Sequence, residues 1–158
     1  AWPQASRDAA LAMIAKYGRP RQYDAEALVW ENNNPWRRTL LHRRAWPRGA
    51  GLRAMNHLEQ AIGYRVPDNR LKALISFDPS MTINRAAGEL TSRADSESLN
   101  YLALNLAHEI VIGARNARDA REFYAKTERL SRSGKSSLYL EGFLFMPLNA
   151  DSRAPLPR

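Results

Sequence analysis

The sequence predicts an α+β fold: an antiparallel sheet of about four to six strands with helices packed on one face. Three observations lead to this prediction. The 158 residues, with 44% hydrophobic and 25% charged side chains, suit one globular domain. Period-two patterns indicate several strands, and the predicted order α-β-β-β-α-β(β)-α-α-β lacks the strand–helix alternation of parallel sheets.

The first helix is predicted over residues 7–17, with Ser6 as its N-terminal cap. Gly18 and Pro20 form a stop signal, because glycine accepts the left-handed conformation and proline cannot continue a helix. Four apolar residues recur at helical spacing and predict the buried face: Ala10, Leu11, Ile14 and Tyr17.

A β-hairpin follows, with strands over residues 27–31 and 36–43 joined by the turn signal Asn32-Asn33-Asn34-Pro35. Residues 46–55, with Pro47, Gly49 and Gly51, indicate a loop, and 57–66 indicate a third strand. The hairpin and the third strand predict the antiparallel part of the sheet.

The second half begins with a short helix over 68–77 and a strand region over 81–94, where Gly88 indicates a turn or bulge. Asp95 is expected to cap the longest helix, 96–112, which Gly113 ends. Asn116 is expected to cap a further helix over 117–131, and 138–145 are predicted as a last strand.

Two segments are distinguished by composition. Residues 1–145 are predicted to form a single α+β domain, and 146–158 a Pro-rich C-terminal tail. The tail has three prolines and no periodicity, so it lacks a core of its own.

Positive charge is the most distinctive chemical property of the sequence. The formal net charge is +8, and of the 24 basic residues 20 are Arg and four are Lys. One Arg-rich stretch contains no acidic residue between Glu31 and Glu59, so we expect folding to leave its charge uncompensated and available to an acidic partner. The predicted partner-binding residues are Trp36, Arg37, Arg43, Arg44, Trp46 and Arg48, with Pro155 and Pro157 in the tail.

No catalytic motif is complete. His108-Glu109 begins like a zinc-protease signature, but position 112 is Ile112 instead of the required second histidine. The three histidines lie in separate predicted elements, so nothing local predicts that they converge on a metal. Gly134-Lys135-Ser136 lacks the upstream glycine of a phosphate loop. Without cysteine there is no disulfide or thiolate chemistry, and we expect no cofactor.

Two runs of sequence carry a resemblance: Leu58-Glu59-Gln60-Ala61-Ile62-Gly63-Tyr64-Arg65-Val66-Pro67 and Leu102-Ala103-Leu104-Asn105-Leu106-Ala107-His108-Glu109-Ile110-Val111. Together they resemble an uncharacterised family of exported bacterial α+β proteins. The opening, with a helix ending at Tyr17-Gly18 and a strand around residues 28–30, is similar to small outer-membrane assembly lipoproteins. The resemblance implies a periplasmic or otherwise exported protein, and it implies no activity.

Three functions follow as hypotheses. The first is a non-catalytic exported interaction module or accessory subunit that docks on a larger assembly, membrane-bound or not, through an acidic protein surface. The second is binding of an anionic surface, such as lipid head groups, through the Arg/Trp hairpin; nucleic acid is disfavoured because no known motif is present. The third is a hydrolase or small-ligand domain assembled from scattered residues. The polar residues within the longest apolar stretch argue against a transmembrane segment.

Overall fold

An open six-stranded antiparallel sheet organises the molecule. The computed structural model describes residues 1–45 and 56–148. The strand order is β1-β2-β3-β4-β6-β5, so the predicted α+β fold is confirmed. The strands are β1 (Gln22–Tyr23), β2 (Ala27–Glu31), β3 (Arg38–His42), β4 (Leu58–Gly63), β5 (Thr82–Asn84) and β6 (Glu89–Ala94).

Five α-helices accompany the sheet in these ranges. None of them has the length and apolar character that a membrane crossing requires. They are α1 (Gln4–Tyr17), α2 (Leu71–Phe77), α3 (Glu97–Val111), α4 (Ala117–Arg132) and α5 (Leu138–Glu141), with a 3-10 turn at Asp68–Arg70 before α2.

Turn chemistry accounts for the strand connections. The predicted β2–β3 hairpin forms, and its register pairs Trp30 with Thr39. Gly88 has a φ of 64° and lies in the turn between β5 and β6, which confirms the predicted turn. Both edge strands are short, with two residues in β1 and three in β5, so neither edge offers a long row of unpaired backbone groups.

Helix α1 is correctly predicted in extent but not in its buried face. It begins three residues earlier than expected, and Ser6 is not its cap, because the buried Ser6 Oγ donates to the backbone oxygen of Arg43 at 2.7 Å. Leu11 and Ile14 are exposed. The helix instead buries Ala9 and Met13, four residues apart, against the sheet. Its contact cluster consists of Ala9, Met13, Trp30, Leu41 and Leu58.

Helix α3 is the centre of the larger core. Its predicted stripe of Leu99, Leu102, Leu106 and Ile110 is buried, as expected. The cap is Ser96 and not Asp95: the Ser96 Oγ accepts from the Leu99 backbone N–H at 3.3 Å. Because α3 lies among β6, α4 and α5, most of its surface is covered.

The predicted last strand over 138–145 is wrong. Residues Leu138–Glu141 form α5, whose N-cap Ser137 accepts from the Tyr139 backbone N–H. A short apolar run is compatible with either helix or strand, and here a capping serine favours the helix. Residues 142–148, called the strap below, then run across α3 and make one β-bridge, between Leu148 and Gly63.

Candidate functional site

Trp36 does not lie on a partner surface. Its side chain is 0% exposed, and its Nε1 donates to Glu97 Oε2 at 2.8 Å. The indole stacks on Tyr101 with ring centroids 5.2 Å apart. Its proposed role as a contact residue is therefore corrected: Trp36 forms part of the core.

The expectation that folding leaves the hairpin charge uncompensated is wrong for three arginines. Arg37 and Arg38 both pair with Glu89, at 3.6 and 3.2 Å. Arg43 pairs with Glu26 at 3.4 Å and donates to the backbone oxygen of Ala1 at 3.2 Å. The acidic partners lie outside the acid-free stretch in sequence, and the sheet brings them beside it.

The remaining predicted contact residues divide into two groups. Arg44 is exposed and forms no ion pair with another residue in the described ranges. Trp46, Arg48, Pro155 and Pro157 lie outside the described residues. Of the described members of the set, Arg44 alone fits the predicted exposed, charged surface.

His108 and Glu109 have structural partners. The His108 Nδ1 lies 2.7 Å from the Tyr64 hydroxyl, and its ring stacks on Phe145 at 4.3 Å. Glu109 accepts from Arg115 at 2.7 Å and from the Tyr139 hydroxyl at 2.5 Å. Burial lowers the pKa of His108, which favours the neutral ring. The contacts with Phe145 and Tyr139 hold α3 to the residues that follow α4.

The histidines do not converge as a trio. His42 and His57 lie on the neighbouring strands of the β3–β4 pair, where the His42 backbone N–H donates to the His57 backbone oxygen at 2.8 Å. His108 lies on α3. Within residues 1–45 and 56–148, no group of three or more His, Asp or Glu side chains is arranged to hold a metal ion.

A carboxylate at the start of α3 accepts hydrogen bonds from four donors in three parts of the chain: α1, the β2–β3 connection and β4. We call Glu97 with Lys16, Tyr17, Trp36 and Gln60 the Glu97 cluster. The Glu97 Oε1 accepts from Lys16 Nζ at 2.5 Å. The Oε2 accepts from the Tyr17 hydroxyl at 2.6 Å, Trp36 Nε1 at 2.8 Å and Gln60 Nε2 at 3.4 Å.

The polar groups of the Glu97 cluster are paired with one another. The Glu97 side chain is only 15% exposed, and its oxygens are occupied by donors from its own chain. Burial and the Glu97 carboxylate raise the pKa of Tyr17, so its hydroxyl stays protonated. Burial alone would lower the pKa of Lys16, but the hydrogen bond and charge of Glu97 outweigh it and the pKa rises. The cluster therefore presents neither a free base nor a nucleophile.

A groove of about 370 Å³ opens beside this cluster. The Phe143 ring meets Trp36 and Tyr101 edge-on, at 5.1 and 4.9 Å between centroids. The Tyr101 hydroxyl, 3.4 Å from Lys16 Nζ, joins the groove to the Glu97 cluster. The lining residues are Asn34, Pro35, Tyr101, Gly142, Phe143, Phe145, Met146 and Pro147.

Asn105 of α3 fixes the strap that forms one wall of the groove. Its Nδ2 donates to the backbone oxygens of Tyr139 and Gly142, at 3.1 and 2.9 Å. Its Oδ1 accepts from the Leu144 backbone N–H at 2.8 Å. A buried amide thus fixes the start of the strap against α3 through three hydrogen bonds.

The strap presents alternate side chains to the core and to solvent. Phe143 and Phe145 pack inward, whereas Leu144 is 51% exposed and Met146 is 91% exposed. Residues 142–145 belonged to the predicted last strand, but among the described residues the strap pairs with another strand only at the Leu148–Gly63 bridge. The groove itself went unpredicted, because its walls come from three separate parts of the sequence.

Comparisons of the chain with protein-family models, with curated proteins and with solved structures found no match.

Proposed function

We propose that this protein is a non-catalytic interaction module that binds an extended apolar segment of an acidic protein partner in the groove beside the strap. The observation that carries the proposal is the exposure of Leu144 and Met146 at the edge of an aromatic-lined groove. Apolar side chains grouped in this way favour burial against a partner, because burial removes their surface from water.

The wall chemistry favours a peptide segment as the ligand. Aromatic rings and prolines offer flat apolar surfaces on which proline and aliphatic side chains pack well. Asn34 adds an amide at the rim that can hydrogen-bond a peptide backbone. Addition of a strand to the sheet is disfavoured, since β1 and β5 are too short to template one.

Charge supports an acidic partner. The chain carries a formal net charge of +8, and the half-exposed Lys16 lies beside Tyr101 at the groove. A positive surface speeds encounter with a negative one and weakens with rising salt. The proposal therefore includes salt-sensitive association.

The cellular setting is part of the proposal and rests on the resemblance to exported bacterial proteins. We propose that the module acts as an accessory subunit of a larger assembly outside the cytoplasm. Fractionation of the native host tests this placement directly: recovery with the periplasmic or membrane fraction is expected, and recovery in the cytosol alone contradicts it.

Photo-crosslinking in the native host tests the groove. A photoreactive amino acid at position 146 is compared with the same residue at position 112, because Ile112 is also exposed but lies at the end of α3. We expect one discrete adduct from position 146, with a partner of acidic isoelectric point. The purified partner should then bind the wild type more tightly than Met146→Ser. Equal adducts at both positions, or none at 146, contradict the proposal.

A small-molecule ligand is the alternative occupant, because the groove volume would suit one. A small compound that co-purifies with the wild-type protein, is lost in Met146→Ser and prevents crosslinking at 146 would replace the peptide proposal.

A further inference from the structure

Two histidines face each other at one end of the sheet. His42 ends β3, and His57 immediately precedes β4. The β3–β4 pairing extends to them, since the His42 backbone N–H donates to the His57 backbone oxygen at 2.8 Å. Directly opposed residues on antiparallel strands point to the same side of the sheet, so the two imidazoles are neighbours.

Charged groups lie near this histidine pair on β4 and on and directly after β6. Glu59 of β4 lies two residues after His57. Its carboxylate pairs with Arg93 of β6 at 3.1 Å. Asp95 follows β6 and interacts with His57 through its charge and its backbone. On the β2 side the residue opposite His42 is Ala27, while the nearby Arg43 is paired with Glu26.

Residues 46–55, the predicted loop between the two histidines in sequence, lie outside the described ranges; they contain Arg48 and Arg53 and no acidic residue.

Burial keeps both rings neutral. His57 is 1% exposed, and its Nε2 has no hydrogen-bond partner within the described part of the chain. Burial lowers the pKa of His57, opposed by Asp95. Burial also lowers the pKa of His42, with Arg93 acting in the same direction and Glu59 against it. Protonation would place two cations side by side next to Arg93.

The first residues of the chain are attached at this point. Arg43, directly after His42, accepts from the Ser6 hydroxyl at 2.7 Å through its backbone oxygen. Its guanidinium donates to the backbone oxygen of Ala1 at 3.2 Å. The N-terminal end of α1 is therefore held by the same strand end that carries His42.

We propose that His42 and His57 form a proton-sensitive latch, in which acidification opens the end of the β3–β4 pair and releases the N-terminal end of α1. Opening gives the His57 ring access to water and to protons, which its burial in the closed sheet denies it. The latch is independent of the groove, and its failure would leave the proposed binding function untouched.

The direction of the pH effect follows from linkage. A histidine with a lowered pKa in the folded state binds its proton more readily when the segment opens. The closed state is therefore fully favoured above the ordinary histidine pKa of about 6.5. It loses stability as the pH falls through that value toward the lower pKa of the folded state.

Hydrogen–deuterium exchange at pH 7.5 and pH 5.0, corrected for the intrinsic pH dependence of exchange, tests the latch. In the wild type we expect at least tenfold faster exchange at pH 5.0 in residues 38–42, 57–60 and 4–10, and not in α3. His42→Gln with His57→Gln should remove this acceleration. His108→Gln is the matched control, because His108 is also a partly buried histidine but lies on α3; it should keep the acceleration.

Three results overturn the proposal: no local acceleration in the wild type, acceleration that survives the double substitution, or acceleration abolished by His108→Gln. If the double variant does not fold, NMR titration of the wild-type imidazoles decides instead. The pH midpoints of the His42 and His57 titrations should equal the pH midpoint of the chemical-shift changes at the β3 and β4 amides. Midpoints that differ contradict the latch.

Discussion

The Glu97 cluster and the groove beside it meet where Trp36 of the cluster stacks on Tyr101 of the groove, but their polar and apolar groups are satisfied in different ways. In the cluster, a mostly buried carboxylate meets four donors from its own chain, so nothing is left for a ligand. In the groove, aromatic rings line a cavity whose edge exposes Leu144 and Met146. The first arrangement is closed and the second is open.

Because of this difference, we expect the cluster to contribute to folding stability and the groove edge to contribute to binding. When one partner of a buried and fully paired polar group is removed, the group left unpaired destabilises the fold. The cluster should therefore matter to folding. An apolar side chain left in water contributes little to folding and gains free energy when a partner covers it. Substitutions in the cluster should therefore change the free energy of unfolding, and substitutions at the groove edge should change affinity.

The largest effect is expected for Glu97→Ala. Removing the carboxylate leaves Tyr17 and Trp36 as buried donors without acceptors and Lys16 without its anion, which should lower the free energy of unfolding by about 3 kcal/mol. Urea denaturation measures it. Glu122→Ala is the control, because Glu122 is exposed and pairs with Arg118 across one helical turn; it should cost less than about 0.5 kcal/mol. Similar losses in both variants would contradict a structural role for the cluster.

Asn105→Ala should have the next largest effect. Two backbone oxygens and one backbone N–H of residues 139–144 lose their partner. We expect the free energy of unfolding to fall by about 2 kcal/mol. Hydrogen exchange should accelerate at the Leu144 amide, while the amides of β3 and β4 keep their rates. Unchanged exchange at Leu144 would show that the strap is held by its aromatic contacts instead.

A smaller contrast separates two adjacent arginines. Arg43→Glu loses the pair with Glu26 and the bond to Ala1, and should cost about 1 kcal/mol. Arg44→Glu changes an exposed side chain and should leave stability within about 0.5 kcal/mol. Thermal unfolding of the two variants checks this order. A lower melting temperature for Arg44→Glu than for Arg43→Glu would contradict the ion-pair assignment.

The smallest effect on folding is expected at the groove edge. Leu144→Ser and Met146→Ser replace exposed side chains, so each should change the free energy of unfolding by less than about 0.5 kcal/mol. Urea denaturation at neutral pH provides the measurement. A loss comparable to that of Glu97→Ala would mean that these side chains support the fold and are not free for a partner.

Local patterns predicted the sheet and the long helices, because alternation and helical periodicity report which residues are buried. They failed where tertiary contacts decide. Helix α1 buries Ala9 and Met13 instead of Leu11 and Ile14, because its buried face is set by contacts with sheet residues far away in sequence. The start of the strap is fixed by a side chain of another element, Asn105 of α3, through three hydrogen bonds.

The site was harder to predict than the fold for the same reason. Glu97 binds Lys16 from 81 positions earlier and Trp36 from 61 positions earlier, and no local pattern joins residues so far apart. The hairpin arginines showed the converse. Arg37 and Arg38 have no acid nearby in sequence, yet strand pairing brings Glu89 to both.

Titration calorimetry with the purified partner that crosslinking identifies tests most directly whether the groove edge controls affinity and not stability. The double variant Leu144→Ser/Met146→Ser is compared with the wild type at constant ionic strength. We predict wild-type stability and at least tenfold weaker binding, a loss of about 1.4 kcal/mol. Wild-type affinity in this variant would contradict the account, because the exposed apolar edge would then not be the binding surface.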